Sequence, residues 1–344
     1  MKVVCSHCRT AYNLDAHRIR SPFSRVRCSR CHYVFSVYAM GASTTDAVLP
    51  ATDGPRPAAG ENEPTAGASR RTADPAHVIA VSNQKGGVAK TSTCLNLGMS
   101  LALLNKKVLL IDFDTQANLT LSLGFKDTAS FCDVFTCDPQ RMNGILLKTR
   151  YPNLWLLPAN ENLALLERKY FGAAHFEHIL DNWLEKIKGE YDHILIDTPP
   201  AAGFFTLNAL TAAGLALIPS ACEYLSANGA NQILKVIRRL QSAANPHLQY
   251  RVLVTLYDPE DPSAQVVYAK LKSNFRDLSF KTVIPFDTKM KESQIMKLPA
   301  IVYDKTCRCG LEYIRLAREL LNGAGATPRP IETAVSQTAL QAVL

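Results

Sequence analysis

Between residues 77 and 322 the chain alternates two rhythms. Short, continuous apolar runs recur at "HVIAVS" (77–82), "KVLLIDFD" (107–114), "LWLLPA" (154–159), "HILIDTPP" (193–200), "LALIPS" (215–220), "YRVLVTLYD" (250–258) and "KTVIPF" (281–286). Runs this short, with no polar face, predict strands covered on both sides, as in a parallel sheet. Between them, residues 90–105, 176–188, 223–243, 263–276 and 309–322 carry the wider apolar spacing of helices. The alternation predicts an α/β domain over 77–322, a parallel sheet with helices on both faces. Elsewhere the rhythm stops. Residues 39–76 are mostly Ala, Pro, Gly, Thr and Ser, hold no aromatic side chain, and contain Pro50, Pro55, Pro57, Pro64 and Pro75. Such a segment buries too little apolar surface to offset its ordering entropy, which predicts a flexible linker. Residues 323–344 are again rich in Ala, Thr and Pro, and predict a disordered tail.

The first 38 residues follow a third pattern. Cys5-x-x-Cys8 and Cys28-x-x-Cys31 are separated by nineteen residues. Each CxxC can turn as a knuckle that aims two thiolates at one tetrahedral ion, and two knuckles make a closed structural zinc site. A module this short has too small a core to fold alone, so Zn²⁺ binding would supply the missing stability. Four thiolates leave no open coordination position, which argues against a catalytic zinc. The stretch "VVCSHCRTAYNLDAHRIRSPFSRVRCSRCHYVFSV" also resembles the small zinc ribbons at the N-termini of diverse bacterial proteins. Seven Lys/Arg stand here against Asp15 alone, a net +6, which four thiolates and Zn²⁺ bring to about +4. A compact tethered cation suits a nucleic acid or an acidic protein surface.

The whole chain of 344 residues has a formal net charge of +8, with 47% apolar and 20% charged residues. This permits an anionic partner and does not choose one. No apolar run approaches the length of a membrane span, and no apolar segment follows Lys2 as in a secretory signal. The expected compartment is the reducing cytoplasm, where ten cysteines point to metal ligands or buried thiols rather than disulfides.

The chemistry concentrates in "SNQKGGVAKTST" (82–93), where a strand runs through a Gly-rich turn into a helix. This is the context of a phosphate-binding loop: backbone N–H groups and the helix N-terminus face an anion. Gly86, Gly87, Val88, Ala89, Lys90, Thr91 and Ser92 would form the cradle. Lys90 would neutralise the β- and γ-phosphates of ATP, and the Thr91 hydroxyl would ligate Mg²⁺. The usual pattern GxxxxGK[ST] asks for glycine at positions 84 and 89, yet the chain has Gln84 and Ala89 there and adds Lys85. In this it resembles the deviant Walker A motif, KGGxxK[ST], of the ParA/MinD family of P-loop ATPases. That resemblance implies an ATP-dependent homodimer in which Lys85 reaches the phosphates held by the other subunit.

The resemblance continues along residues 77–322. "VLLIDFDTQANLT" (108–120) resembles the family motif DxDPQGN, with Thr115 for Pro and Ala117 for Gly. It implies that Asp114 orients the attacking water and that Asp112 supports the magnesium and phosphate shell. "YDHILIDTPPAAGFFTLNAL" (191–210) resembles the Walker B region, which implies Mg²⁺ held through water by Asp197. By the same analogy the adenine lies near residues 254–258, Pro285 and Phe286. The family further implies non-specific DNA binding in the ATP state, a ParB-like activator protein, and a nucleoid-associated role in chromosome or plasmid segregation. Candidate DNA contacts are Lys235, Arg238, Arg239, Lys281, Lys289 and Lys291.

Three other readings stay open at this point. The ATPase could position another cargo or cell apparatus, redirected by its ribbon. A MinD-like membrane regulator would end in a basic amphipathic helix, but no Lys or Arg follows Arg329, which counts against a membrane partner. Cys307-Arg308-Cys309 raises an iron–sulfur carrier on the same scaffold, although related carriers use CxxC.

Overall fold

The computed structural model describes residues 2–4, 10–13, 24–31, 34–37, 76–136 and 145–323. Cys5, Cys8, the expected linker apart from Ala76, and the tail from Ala324 onward lie outside the described residues. The chain divides into two compact units, Met1–Ala68 and Ser69–Leu344.

The first unit holds two small antiparallel pairs. Strand β1 (Lys2–Val4) pairs with β2 (Ala11–Asn13), and β3 (Ser24–Arg27) pairs with β4 (Val34–Val37). Cys28 and Cys31 stand at the turn leaving β3. Cys28 Sγ accepts the Cys31 N–H at 3.4 Å, and Tyr12 of β2 brings its hydroxyl to 2.9 Å from the same sulfur. Burial pushes the Cys28 thiol up. Hydrogen bonds from Tyr12 and from the N–H groups of Cys31 and Arg30 outweigh it and bring the thiol down to about 5.

The second unit is built on eight strands: β5 (His77–Val81), β6 (Val108–Asp112), β7 (Leu147–Lys148), β8 (Leu154–Leu157), β9 (His193–Asp197), β10 (Leu215–Ala221), β11 (Gln249–Tyr257) and β12 (Ser279–Pro285). Their order is β12-β11-β10-β5-β9-β6-β8-β7. All seven apolar runs read from the sequence form strands, and these pair in parallel. The eighth, β7, runs antiparallel to β8 at one edge, so the sheet is mixed and mostly parallel.

Helices α1 (Lys90–Leu103), α2 (Asn118–Ser122), α3 (Phe131–Thr136), α4 (Leu163–Tyr170), α5 (Ile179–Leu184), α6 (Phe204–Ala212), α7 (Tyr224–Ala243), α8 (Pro262–Phe275), α9 (Thr288–Ile295), α10 (Ala300–Tyr303) and α11 (Arg308–Gly323) complete the unit. The period-two alternation of the strands sorts them into two layers. Ile79, Val81, Leu110, Leu195 and Leu217 face one core with Leu97 and Leu101 of α1 and Tyr313 and Leu316 of α11. Ala80, Ile111, Ile196, Ile218 and Val254 face the other, with Leu180, Phe204, Ile233 and Leu271 of α5 to α8. The helix expected over 176–188 is broken. A 3-10 turn (Phe176–His178) precedes α5, and a second (Lys188–Glu190) follows it.

Candidate active site

Three strand ends and one loop converge. β5 ends at Val81 beside Asp197 of β9, and Asp197 is in register with Asp112 of β6. The loop that leaves β5 therefore lies over two carboxylates before α1 begins at Lys90. Gly87 takes φ 76°, a left-handed backbone suited to glycine. Ala89 takes φ 66° immediately before the helix.

Asn83 anchors the loop. Its Nδ2 donates to the Pro219 carbonyl at 2.7 Å, and its Oδ1 accepts the Lys85 N–H at 3.0 Å. Thr255 Oγ1 donates to the Val88 carbonyl at 3.2 Å, and Gln294 Nε2 donates to Ser92 Oγ at 2.8 Å. Gly229 of α7 passes so close that a Cβ there would sit 2.6 Å from Asn83 Oδ1 and 3.0 Å from Lys85 Cβ. The supports from Thr255, Gln294 and Gly229 lie far along the chain and leave no signal in the loop sequence, and the motif does not mark the anchoring role of Asn83 either.

The two lysines differ in setting. Lys90 is buried and donates to the Lys85 carbonyl at 2.9 Å. Burial lowers its ammonium pKa, against the opposing pull of the Asp197 and Asp114 carboxylates. The Lys85 side chain lies nearer solvent, 25% exposed, and forms an ion pair with Glu223 at 2.5 Å.

The acids also divide. Asp197 is buried, and neither carboxylate oxygen has a hydrogen-bond partner of good geometry. Burial holds its carboxyl well above the usual range. The Asp112 and Asp114 charges add to this, while the Thr91 hydroxyl and Lys90 pull the other way. Asp112 is raised to about 6, again by burial first. Its Oδ2 accepts the Thr120 N–H at 2.8 Å and the Thr120 hydroxyl at 2.6 Å, and its Oδ1 accepts the Asp114 N–H at 3.3 Å. Asp112 thus ties the segment after β6 to the strand end. Asp114 Oδ1 accepts the Gln116 N–H at 3.0 Å.

Residues 254–258 flank the loop through Thr255, and Tyr257 is in register with Pro285. Phe286 donates its N–H to the Tyr257 carbonyl at 2.8 Å, and Lys291 lies over its ring at 5.3 Å. The segments expected around adenine are therefore brought together. Cys307 and Cys309 are buried, with sulfurs 3.8 Å apart. Burial raises both thiols. A cluster shared between subunits needs sulfurs at the surface, so this placement argues against the iron–sulfur reading.

A family model described as an AAA domain matches residues 76–250, and one described as a zinc-ribbon domain matches residues 1–36. The chromosome partitioning protein ParA of Caulobacter vibrioides is 34% identical over 257 residues, which cover 73% of this chain and 96% of that protein. The chain belongs to the ParA/Soj family of P-loop ATPases. The sporulation initiation inhibitor protein Soj of Bacillus subtilis is 38% identical over 250 residues, covering 71% of this chain and 97% of Soj. The structure of cobyrinic acid a,c-diamide synthase from Mycobacterium smegmatis, with bound ADP and magnesium, superposes with a TM-score of 0.61 at 31% identity. It covers 75% of this chain and 99% of that one. The septum site-determining protein MinD from Pyrococcus horikoshii, complexed with Mg-ADP, gives 0.58 at 25% identity, covering 74% and 100%. Among the described residues of this ParA-family ATPase, no helix is long and apolar enough to cross a membrane.

Proposed function

We propose that this ATPase is a partitioning motor of the ParA type: ATP closes a homodimer, the dimer binds DNA without sequence preference, and a ParB-like activator triggers hydrolysis and release. The observation that carries the reading is the pair of lysines on one loop. Lys90 is buried against its own carboxylates, whereas the Lys85 side chain is 25% exposed and pairs with the more exposed Glu223. A cation in that position suits phosphates presented by a second subunit.

The residues fit ATP and Mg²⁺. A buried carboxylate without a partner is costly unless a cation or water satisfies it, and Asp197 is such a group. Thr91 and Asp197 would hold Mg²⁺, which supplies charge neutralisation to the phosphates. Gly86 and Gly87 let backbone N–H groups approach an anion, Lys90 places positive charge beside it, and Asp114 orients the attacking water. In the first unit, Cys28 and Cys31 with Cys5 and Cys8 would hold Zn²⁺. The lowered Cys28 thiol is consistent with a metal ligand.

For DNA, Lys235, Arg238 and Arg239 are exposed on α7 while Ile233, Ile237 and Leu240 of that helix are buried. Lys281 and Lys291 are exposed, and Lys289 is engaged by Glu292 at 3.1 Å, so Lys289 is the weakest of the candidate contacts. The deciding experiment titrates non-specific duplex DNA with ATP–Mg²⁺ and with ADP, at two salt concentrations. Tight, salt-sensitive binding with ATP alone supports the switch. Equal binding in both nucleotide states, lost on removing residues 1–38, would assign DNA binding to the ribbon. No binding at all would shift the reading to an ATPase that positions another cargo.

A further inference from the structure

The turn before α5 gathers side chains that the nucleotide site does not use. The chain there reads "AAHFEHILD" (173–181). His175 takes φ 58°, a left-handed conformation in which histidine is several-fold enriched among non-glycine residues. The next three residues form the 3-10 turn, and the His178 N–H donates to the His175 carbonyl at 3.1 Å. Such a turn eclipses positions three apart, and the two imidazole rings lie 6.3 Å between centroids. The Glu177 carboxylate lies 4.0 Å from His178 Nε2. One ligand atom from each of His175, Glu177 and His178 lies within 4.8 Å of the other two. On its far side, His178 Nδ1 faces an Asp181 carboxylate oxygen at 3.9 Å.

We propose that His175, Glu177 and His178 form a binding site for a divalent transition-metal ion of the zinc class, with Asp181 as the residue that positions His178. Two imidazoles and one carboxylate suit Zn²⁺ better than Mg²⁺ or Ca²⁺, which prefer all-oxygen shells. Asp181 lies 3.9 Å from His178 Nδ1, and on closing to hydrogen-bond distance with the ion bound it would accept the Nδ1–H, leaving the Nε2 lone pair for the metal; metal-bound histidines are usually held by this kind of contact. The donor atoms must close to about 3.4 Å, the edge of a tetrahedron with bonds near 2.1 Å. His175 is exposed and Glu177 and His178 are half-exposed, so side-chain rotation suffices. Three protein ligands leave a further position for water or for a group from another molecule. The turn is anchored to the fold: the Phe176 ring stacks on Phe204 of α6 at 5.9 Å, and the Leu180 N–H donates to Asn208 Oδ1 at 3.1 Å. An ion here would therefore stiffen a turn packed on the helix that follows the Asp197 loop.

The test dialyses the full chain, with its ribbon cysteines intact, against Zn²⁺ buffered from nanomolar to low micromolar, and reads metal content per chain. Wild type should hold one more equivalent than the His175→Asn/His178→Asn double variant, and Glu177→Gln should weaken that extra equivalent. Asp181→Asn should lower its affinity by roughly 10- to 100-fold while leaving the equivalent present at saturation. Among the eight histidines, only two imidazole signals should shift with the added ion. Circular dichroism and ATP turnover of the variants should match wild type, which separates ligand loss from unfolding. Equal zinc content in wild type and the double variant across the range, or two unmoved imidazoles, would overturn the site.

Discussion

Ala89 stands where the usual phosphate-loop pattern has glycine and Ala117 where the family motif does, and both nonetheless take the left-handed backbone, at φ 66° and 53°. The sequence showed the departures but not the backbone these positions would take; both alanines are left-handed and carry the strain. For an L-residue that strain is about 1–2 kcal/mol. Ala117→Gly should therefore raise unfolding stability by about 1 kcal/mol, net of glycine's larger unfolded-state entropy. A denaturation curve shifted the other way would show that Ala117 is not strained. Gly229 makes the opposite case. Gly229→Ala should push on Asn83 and Lys85 and weaken ATP binding tenfold or more in a nucleotide titration, with the fold retained by circular dichroism. Unchanged affinity would mean that the loop yields without cost. No sequence signal marks Gly229, because its meaning depends on a loop more than a hundred positions away. The lysines, by contrast, stand in the loop motif itself: the phosphate-loop pattern marks Lys90, and the family resemblance marks Lys85. Lys90→Ala should lower turnover at least a hundredfold. Lys85→Ala should keep nucleotide binding within a few fold and lose the ATP-dependent dimer in light scattering; a full dimer would refute the cross-subunit role.

At the scale of elements, continuous apolar runs identified seven strands because a buried parallel strand shows no polar face. The same logic hid α6, nearly all of whose residues are buried, so no amphipathic period survives. β7 is two residues long and leaves no pattern at all. The expected helix over 176–188 breaks because His175 turns left-handed before it and a 3-10 turn closes it. Glu319 shows what joins elements once they exist. From α11, its Oε1 accepts the Lys281 N–H at 2.8 Å and an Arg251 N–H at 2.9 Å. Its Oε2 accepts the Thr282 N–H at 2.9 Å and the Thr282 hydroxyl at 2.8 Å. Burial raises this carboxyl, but those bonds and Arg251 outweigh it and hold it below the usual glutamate range. The stabilisation is thus present above the ordinary glutamate pKa and is lost as pH falls through the depressed one. Glu319→Gln should cost about 2 kcal/mol in urea unfolding at pH 7, and the gap to wild type should narrow in acid. A gap independent of pH would assign the loss to packing.

At the scale of the molecule, the ribbon and the ATPase are separate compact units. Serine at Cys5, Cys8, Cys28 and Cys31 should abolish the ribbon's amide dispersion in NMR while leaving the ATPase melting temperature within about 1 °C, as expected of two compact units with their own cores. A shift of several degrees would show that the two units support each other. The order of the eight-stranded sheet has a different consequence, for the chain as it is made. β5 carries the phosphate loop, yet its partners β9 and β10 follow more than a hundred residues later. A ribosome delivers β5 with both edges bare, and the loop gains its floor of carboxylates and its Pro219 anchor only when residue 221 has emerged. Nucleotide can stabilise the chain only once it has grown past residue 221, and a ribosome stalled before that point exposes an apolar, unpaired strand to its neighbours.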